Sequence, residues 1–266
     1  MSAIEFEVWL NHFEYHADHP CCIPCELSDR LMPQEQRLIA SSIATFQLRA
    51  KSAGPWLLPA AQRFAHDRRL AALVRIVELL IRDEQHHAAL LQVFMEDHAI
   101  AVKKTHWTDA VFRRVRRLAG LESLLYVRIN AELVGIVYFR ALEAATHCQR
   151  LKVLCRVRVS DQLAHVGFES QVLFALRAGR ASWVQALSRS AHRTWFAGAA
   201  GVVWFTHRAV LRRAGYGVRS FLSACLAQYD FHLEPVKGVA LAWNDAEKRL
   251  DFTLLNGLRV DSNNRA

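Results

Sequence analysis

Two stretches of this 266-residue chain carry residue types at metal-ligand spacing. The first is Asp83-Glu84-Gln85-His86-His87, and the second is Asp161-Gln162-Leu163-Ala164-His165, 78 positions later. Aligned on Asp, both place His four residues on. The position after Asp is Glu in the first and Gln in the second. Glu and His three residues apart share a helix face, so Glu84 and His87 can reach one metal ion together. In the second stretch Gln162 offers only a neutral carbonyl oxygen beside His165. A third carboxylate, Glu132, sits in the apolar run Tyr126 to Leu142, with Arg128 and Arg140 as its only charged company there. A carboxylate in such a run is costly unless paired or bound to a cation. Pairing with an arginine is the plain alternative to a ligand role.

The elements that must position these residues read as helices. Few Gly and Pro, many Ala, Leu, Val and Arg, and no period-2 alternation predict an all-α fold. Met32-Pro33-Gln34-Glu35 marks a helix start with Pro in the first turn. That helix runs to about Ala53, where Gly54-Pro55 interrupts it. A second runs from about Arg68 to His98, with Leu73, Ile76, Val77, Leu80, Ala88, Leu91 and Phe94 at a period near 3.6. A basic helix is expected over Val111 to Leu118. A strongly apolar helix spans Leu121 to about Ala145, and another spans Gln149 to Ala178, ended by Gly179. Two or three more fill residues 182–231. We expect an irregular N-terminal segment over 1–32, a helical bundle over 33–180, C-terminal helices over 181–232 packed on it, and a polar tail over 233–266. Glu132 precedes Gln162 by 30 residues, so an antiparallel return near Thr146 sets them level.

These motifs resemble the ferritin-like superfamily of di-iron carboxylate proteins, over about Leu38 to Gln171. Its members include ribonucleotide reductase small subunits, ferritins and p-aminobenzoate N-oxygenases. The resemblance implies a four-helix bundle with additional C-terminal helices. It implies iron, or manganese, held by Glu84 and His87, with Glu132 as a second bridging carboxylate and His165 on the other ion. Asp83 and Asp161 would accept hydrogen bonds from the ring N–H groups, and Asp161 could also serve as a substitute ligand. The implied activity is O₂-dependent oxidation of an unknown small-molecule substrate.

The pattern departs from the family at two ligands. Gln162 stands at a ligand Glu. The first bundle helix supplies no carboxylate, because no Asp or Glu occurs from Gln36 to His66. Ala50, or failing that Gln47, falls at the expected position. Two ferrous ions bring four positive charges, and two carboxylates cannot offset them in a low-dielectric bundle. Three arrangements follow: one metal at Glu84, His87, Glu132 and His165; a remodelled di-metal site that recruits Asp161, Gln162, Glu169 or Glu143; or a metal-free polar core. Tyr138 falls near such a site or in the core. The rival function is a non-catalytic bundle that binds a protein partner, an apolar ligand or a membrane surface.

Net charge is +9 and pI about 9.6, with 52% hydrophobic and 22% charged residues. Arg-rich solvated faces account for this, and an anionic membrane surface or an acidic partner is the sharper alternative. No nucleic-acid motif is present, so no nucleic-acid partner is expected. Six cysteines are too sparse for a disulfide framework. With an N-terminus unlike a signal peptide, they point to a cytoplasmic chain, and a homodimer is an open expectation. His16, His19 and the Cys21-Cys22-Cys25 cluster look superficially zinc-like. Exposed thiols are the plainer reading. Arg113-Arg114-Val115-Arg116-Arg117 reads as a solvated face. The apolar stretch Trp195 to Phe205 is half a bilayer span and predicts a buried helix. Its aromatic residues beside Arg208, Arg212 and Arg213 leave interfacial insertion as the alternative.

Overall fold

The computed structural model describes residues 6–20, 29–51, 56–66, 68, 70–103 and 120–233, without the side chains of 49–51. The described residues form eight helices and no strand. They are α1 (Phe6–Asp18), α2 (Pro33–Lys51), α3 (Leu57–His66), α4 (Ala71–Asp97), α5 (Leu121–Ala145), α6 (Gln149–Arg177), α7 (Ser182–Arg213) and α8 (Val218–Leu233). The basic helix expected over Val111 to Leu118, the Cys21-Cys22-Cys25 cluster and the polar tail over 233–266 lie outside the described residues, apart from Leu233, which ends α8. No described helix is long and apolar enough to cross a membrane.

Helix α5 is the centre of the molecule. Its apolar residues surround the axis, and 17 of its 25 residues are buried. A helix that is apolar all round must be covered on every side. Helix α6 returns antiparallel along it, α7, α8 and α3 pack on it, and α2 and α4 reach it through Phe46 on Tyr138 and Glu84 near Arg128. The α5–α6 turn is fastened from outside. Glu35 accepts a hydrogen bond from the His147 backbone N–H at 2.7 Å. The Asp29 carboxylate accepts from the first N–H groups of α6, at Gln149 and Arg150. Those donors have no partner within their own helix, and an acid there also suits the helix dipole.

The N-terminal segment departs from expectation. Instead of an irregular stretch over 1–32, residues 6–18 form α1, which lies across α4. Phe6, Trp9, Phe13 and Ala17 recur at helical spacing and face inward. Trp9 and Phe13 each meet Phe168 of α6 edge-on, at 5.9 and 5.8 Å between ring centres. Trp9 Nε1 also donates to Gln171 at 2.9 Å.

The interior divides into two apolar clusters. One gathers α1, α3, the first half of α4, the start of α5 and Phe168 and Val172 of α6. The other gathers α2, the second half of α4, most of α5 and α6, and α7 and α8. On α4 the boundary falls between Leu80 and Leu91; on α5 it falls between Leu125 and Tyr126. The sequence motifs lie at that boundary. Replacing Phe168 by Ala is expected to cost about 3–5 kcal/mol, because the ring bridges α1 to α6. Urea unfolding monitored by helical circular dichroism measures it.

Candidate metal centre

Three helices bring their charged residues to one level. Helix α4 supplies Asp83, Glu84 and His87. Helix α5 supplies Arg128 and Glu132, one turn apart. Helix α6 supplies Arg158, Asp161, Gln162, His165 and Glu169, at intervals of three and four residues that keep them on one face. Glu84, Glu132, His87, Gln162, His165 and Glu169 are all buried.

Two groups of side chains lie close enough to hold a metal ion, Glu84 with Glu132 and His165, and Asp83 with His87 and Asp161. The two groups are joined by the histidine rings. His165 Nε2 lies 2.9 Å from Asp83, while its Nδ1 lies 3.3 Å from Glu84 and 3.9 Å from Glu132. His87 Nε2 lies 2.8 Å from Asp161 and 3.4 Å from Asp83. Each motif's Asp thus stands beside the other motif's His at the shorter distance. A carboxylate on one ring nitrogen fixes the orientation of an imidazole and leaves the other nitrogen for a ligand role.

Arginine occupies the centre of the layer. One Arg158 Nη donates to both oxygens of Glu84, at 2.9 and 2.8 Å, and lies 3.7 Å from Glu132. Arg128 donates to Glu132 at 3.2 Å and to Glu169 at 2.5 Å, and lies 3.9 Å from Glu84. The pairing of Glu132 with Arg128 was one of the two sequence readings. Arg158 was missed. Its signal was present: it lies one turn before Gln162 and two before His165, on the face that carries both.

The remaining candidates are placed elsewhere. Gln47 is buried against Gln92, two turns of α4 beyond Glu84. The side chain of Ala50 lies outside the described residues. Gln162 is buried with its amide against Gly135 of α5, where a Cβ would collide with it. Glu143 pairs with Arg156 at 2.6 Å on an exposed edge. Tyr138 is in the core away from the carboxylates. Its hydroxyl is 2.6 Å from Ser42, which in turn is 2.7 Å from His207.

Charge explains the titration of the layer. Asp83, Glu84, Glu132, Asp161 and Glu169 face two guanidiniums, so three negative charges remain to be met. Burial opposes protonation of His87, yet hydrogen bonds to Asp161 and Asp83 outweigh it and push it up to about 9. The same balance raises His165 well above the ordinary histidine value, through Asp83, Glu132 and Glu84. Burial raises Glu169 to about 7, despite Arg128. Burial works against the charge on Glu84, but Arg158 and His165 hold it well below the ordinary value. The layer therefore gathers protons to balance itself.

A pocket of ≈ 120 Å³ opens over this layer, lined by His12, Phe13 and His16 of α1, Asp83 and His86 of α4, and Asp161 and His165 of α6. His16 Nδ1 is 3.9 Å from Asp161, and the Phe13 ring lies 5.9 Å from that of His165. Burial lowers His12 to about 4, aided by the neighbouring His16. The sequence reading did not connect α1 to the site, because it had no helix there.

No family model, curated protein or solved structure matches the chain.

Two outcomes follow. The raised values of Glu169 and His87 give stability that is complete below about 4.5 and 6.5 respectively, and lost as pH climbs through about 7 and 9. Asp83 and Glu84 are depressed, so their contribution is lost on the acid side. Metal-free protein should therefore melt highest near about pH 4.5, where the acid-side and alkaline-side losses meet, and lower steadily toward pH 9, as read by scanning calorimetry. Arg158→Met should cost about 3–5 kcal/mol by stranding Glu84, and pairing it with Glu84→Gln should recover much of that. Urea unfolding of the single and double variants measures the coupling.

Proposed function

We propose that the chain is a ferritin-like metal-binding protein. It takes one divalent ion, iron or manganese, between Glu84, Glu132 and Nδ1 of His165. The orientation of His165 carries this reading. Asp83 holds Nε2, and the free ring nitrogen faces two buried carboxylates. That is how a protein prepares a histidine for a metal. Oxygen and nitrogen donors without thiolate suit iron or manganese.

A pair of ions does not fit these residues. Both oxygens of Glu84 accept from Arg158, Gln162 packs against Gly135, and α2 brings no carboxylate to the layer. Two guanidiniums carry the charge of one ferrous ion. Arg128 and Arg158 therefore stand, in charge, for the second ion of a di-iron protein. A single divalent ion would displace the protons that His165 and its neighbours otherwise collect.

Reduced iron at this position would supply electrons to O₂ for oxidation of a small substrate. The chain's own contribution is to hold the site. Asp83 sets the tautomer of His165, Arg128 and Arg158 fix the carboxylates, and Phe13 closes the pocket side of the ring. The pocket over the site is lined by His12, His16 and His86.

A second reading is a metal-free bundle whose layer is structural. The two bonds from Arg158 to Glu84 favour it. Anaerobic loading with Fe²⁺ or Mn²⁺, followed by elemental analysis, separates the two. The metal reading expects about one ion per chain, lost in His165→Gln and in Glu84→Gln. It also expects Gln162→Glu to add no second ion. Wild-type protein without bound metal, and with an unchanged melting temperature, would establish the structural reading. About two ions per chain would show that the guanidiniums do not replace an ion.

A further inference from the structure

Helix α7 spends one face on the bundle and leaves the other uncovered. Phe196, Ala200, Val203, Trp204, His207, Val210 and Leu211 turn inward against the core. The outward face carries Trp183, Leu187, Trp195, Val202 and Phe205. Their spacing of four, eight, seven and three residues keeps them on one stripe about 33 Å long. Trp183 is 70% exposed, Leu187 65% and Phe205 67%. Exposed aromatics of this size on one continuous stripe need an explanation.

The charge around the stripe says what covers it. Helix α7 contains five arginines and no Asp or Glu. Arg208, Arg212 and Arg213 are exposed at the C-terminal end of the stripe, and Arg219 of α8 is exposed beside them in the chain. From Ser182 to Leu233 the only acid is Asp230, and Arg193 already takes both of its oxygens at 2.8 Å. A second copy of this chain would bring the same acid-free helix against itself. An anionic lipid surface supplies the opposite charge and an apolar layer for the rings.

We propose that the exposed face of α7 docks this protein on an anionic membrane surface. Trp183, Trp195 and Phe205 enter the headgroup boundary while Arg208, Arg212 and Arg213 meet the lipid phosphates and carboxylates. Indole and phenyl rings favour that boundary, and juxtaposed arginines draw the protein to negative lipid. On this proposal α7 lies along the bilayer, as no described helix is long and apolar enough to cross it.

The test is co-sedimentation of the full chain with vesicles of phosphatidylcholine alone and of phosphatidylcholine with 30% phosphatidylserine. The expected result is binding to the anionic vesicles only. It should weaken by about tenfold or more in Trp183→Ala/Trp195→Ala/Phe205→Ala, and likewise in Arg208→Gln/Arg212→Gln/Arg213→Gln. Raising salt from 0.05 to 0.5 M should release the wild type, which tests the charge without any variant. Absence of binding to anionic vesicles overturns the proposal. So does equal binding to neutral vesicles, or binding that both variants retain with unchanged helical content. A dimer in light scattering that the aromatic variant abolishes, without vesicle binding, assigns the face to a second copy and also overturns it.

Discussion

The structure depends on a layer of charge held between two apolar cores. Isolated in the interior, each of its ions would cost several kcal/mol after relaxation. At about 4 Å and an effective dielectric near 20, one opposite charge returns about 4 kcal/mol. A single partner therefore roughly breaks even, and a network with several contacts per group does better. Glu84 meets both Arg158 and His165, Arg128 meets Glu132 and Glu169, and Asp83 meets both histidines. The layer is stable as a unit, and each member is exposed to penalty when a partner is removed.

This constraint reaches outward to the rest of the fold. Helix α4 carries its charges in the layer between Asp83 and His87, α5 between Arg128 and Glu132, and α6 along about three turns from Arg158 to Glu169, so sliding one helix along the others would strand carboxylates in apolar surroundings. The layer therefore sets the register of the three helices. The turn between α5 and α6, pinned by Asp29 and Glu35, keeps Glu132 level with Gln162 and its neighbours. Gly135 belongs to the same requirement, since only a residue without Cβ leaves room for the Gln162 amide. Helix α1 then closes the open side, setting Phe13 over His165 and two histidines at the pocket.

The same layer explains why metal and proton compete here. Five carboxylates exceed two guanidiniums, and the excess must be met by something positive. Protons on the histidines and on Glu169 meet it when no cation is present. The position between Glu84, Glu132 and His165 is where a divalent ion would meet it instead. Arginine in the layer limits how much additional positive charge it accepts, which is the physical argument for one ion over two.

The sequence by itself determined the helices and most of the layer's membership. Hydrophobic period gave α4, α5 and α6 to within about three residues, because long amphipathic or apolar runs leave little choice of secondary structure. The 30-residue return set Glu132 level with Gln162 and its helix neighbours, since spacing along a helix is local geometry, while Asp83, Glu84 and His87 joined them only through the family resemblance. It gave the cross-motif pairing only through the family resemblance, without saying which Asp serves which His. The tertiary structure decided that Arg158 lies on Glu84, that Glu169 belongs to the layer, and that α1 covers it. It also turned Gln162 onto Gly135 and left Tyr138 to Ser42. These outcomes rest on side chains far apart in the chain, up to 162 residues for Trp9 and Gln171, meeting in space, and on a charge balance summed over the layer. No local pattern encodes that sum.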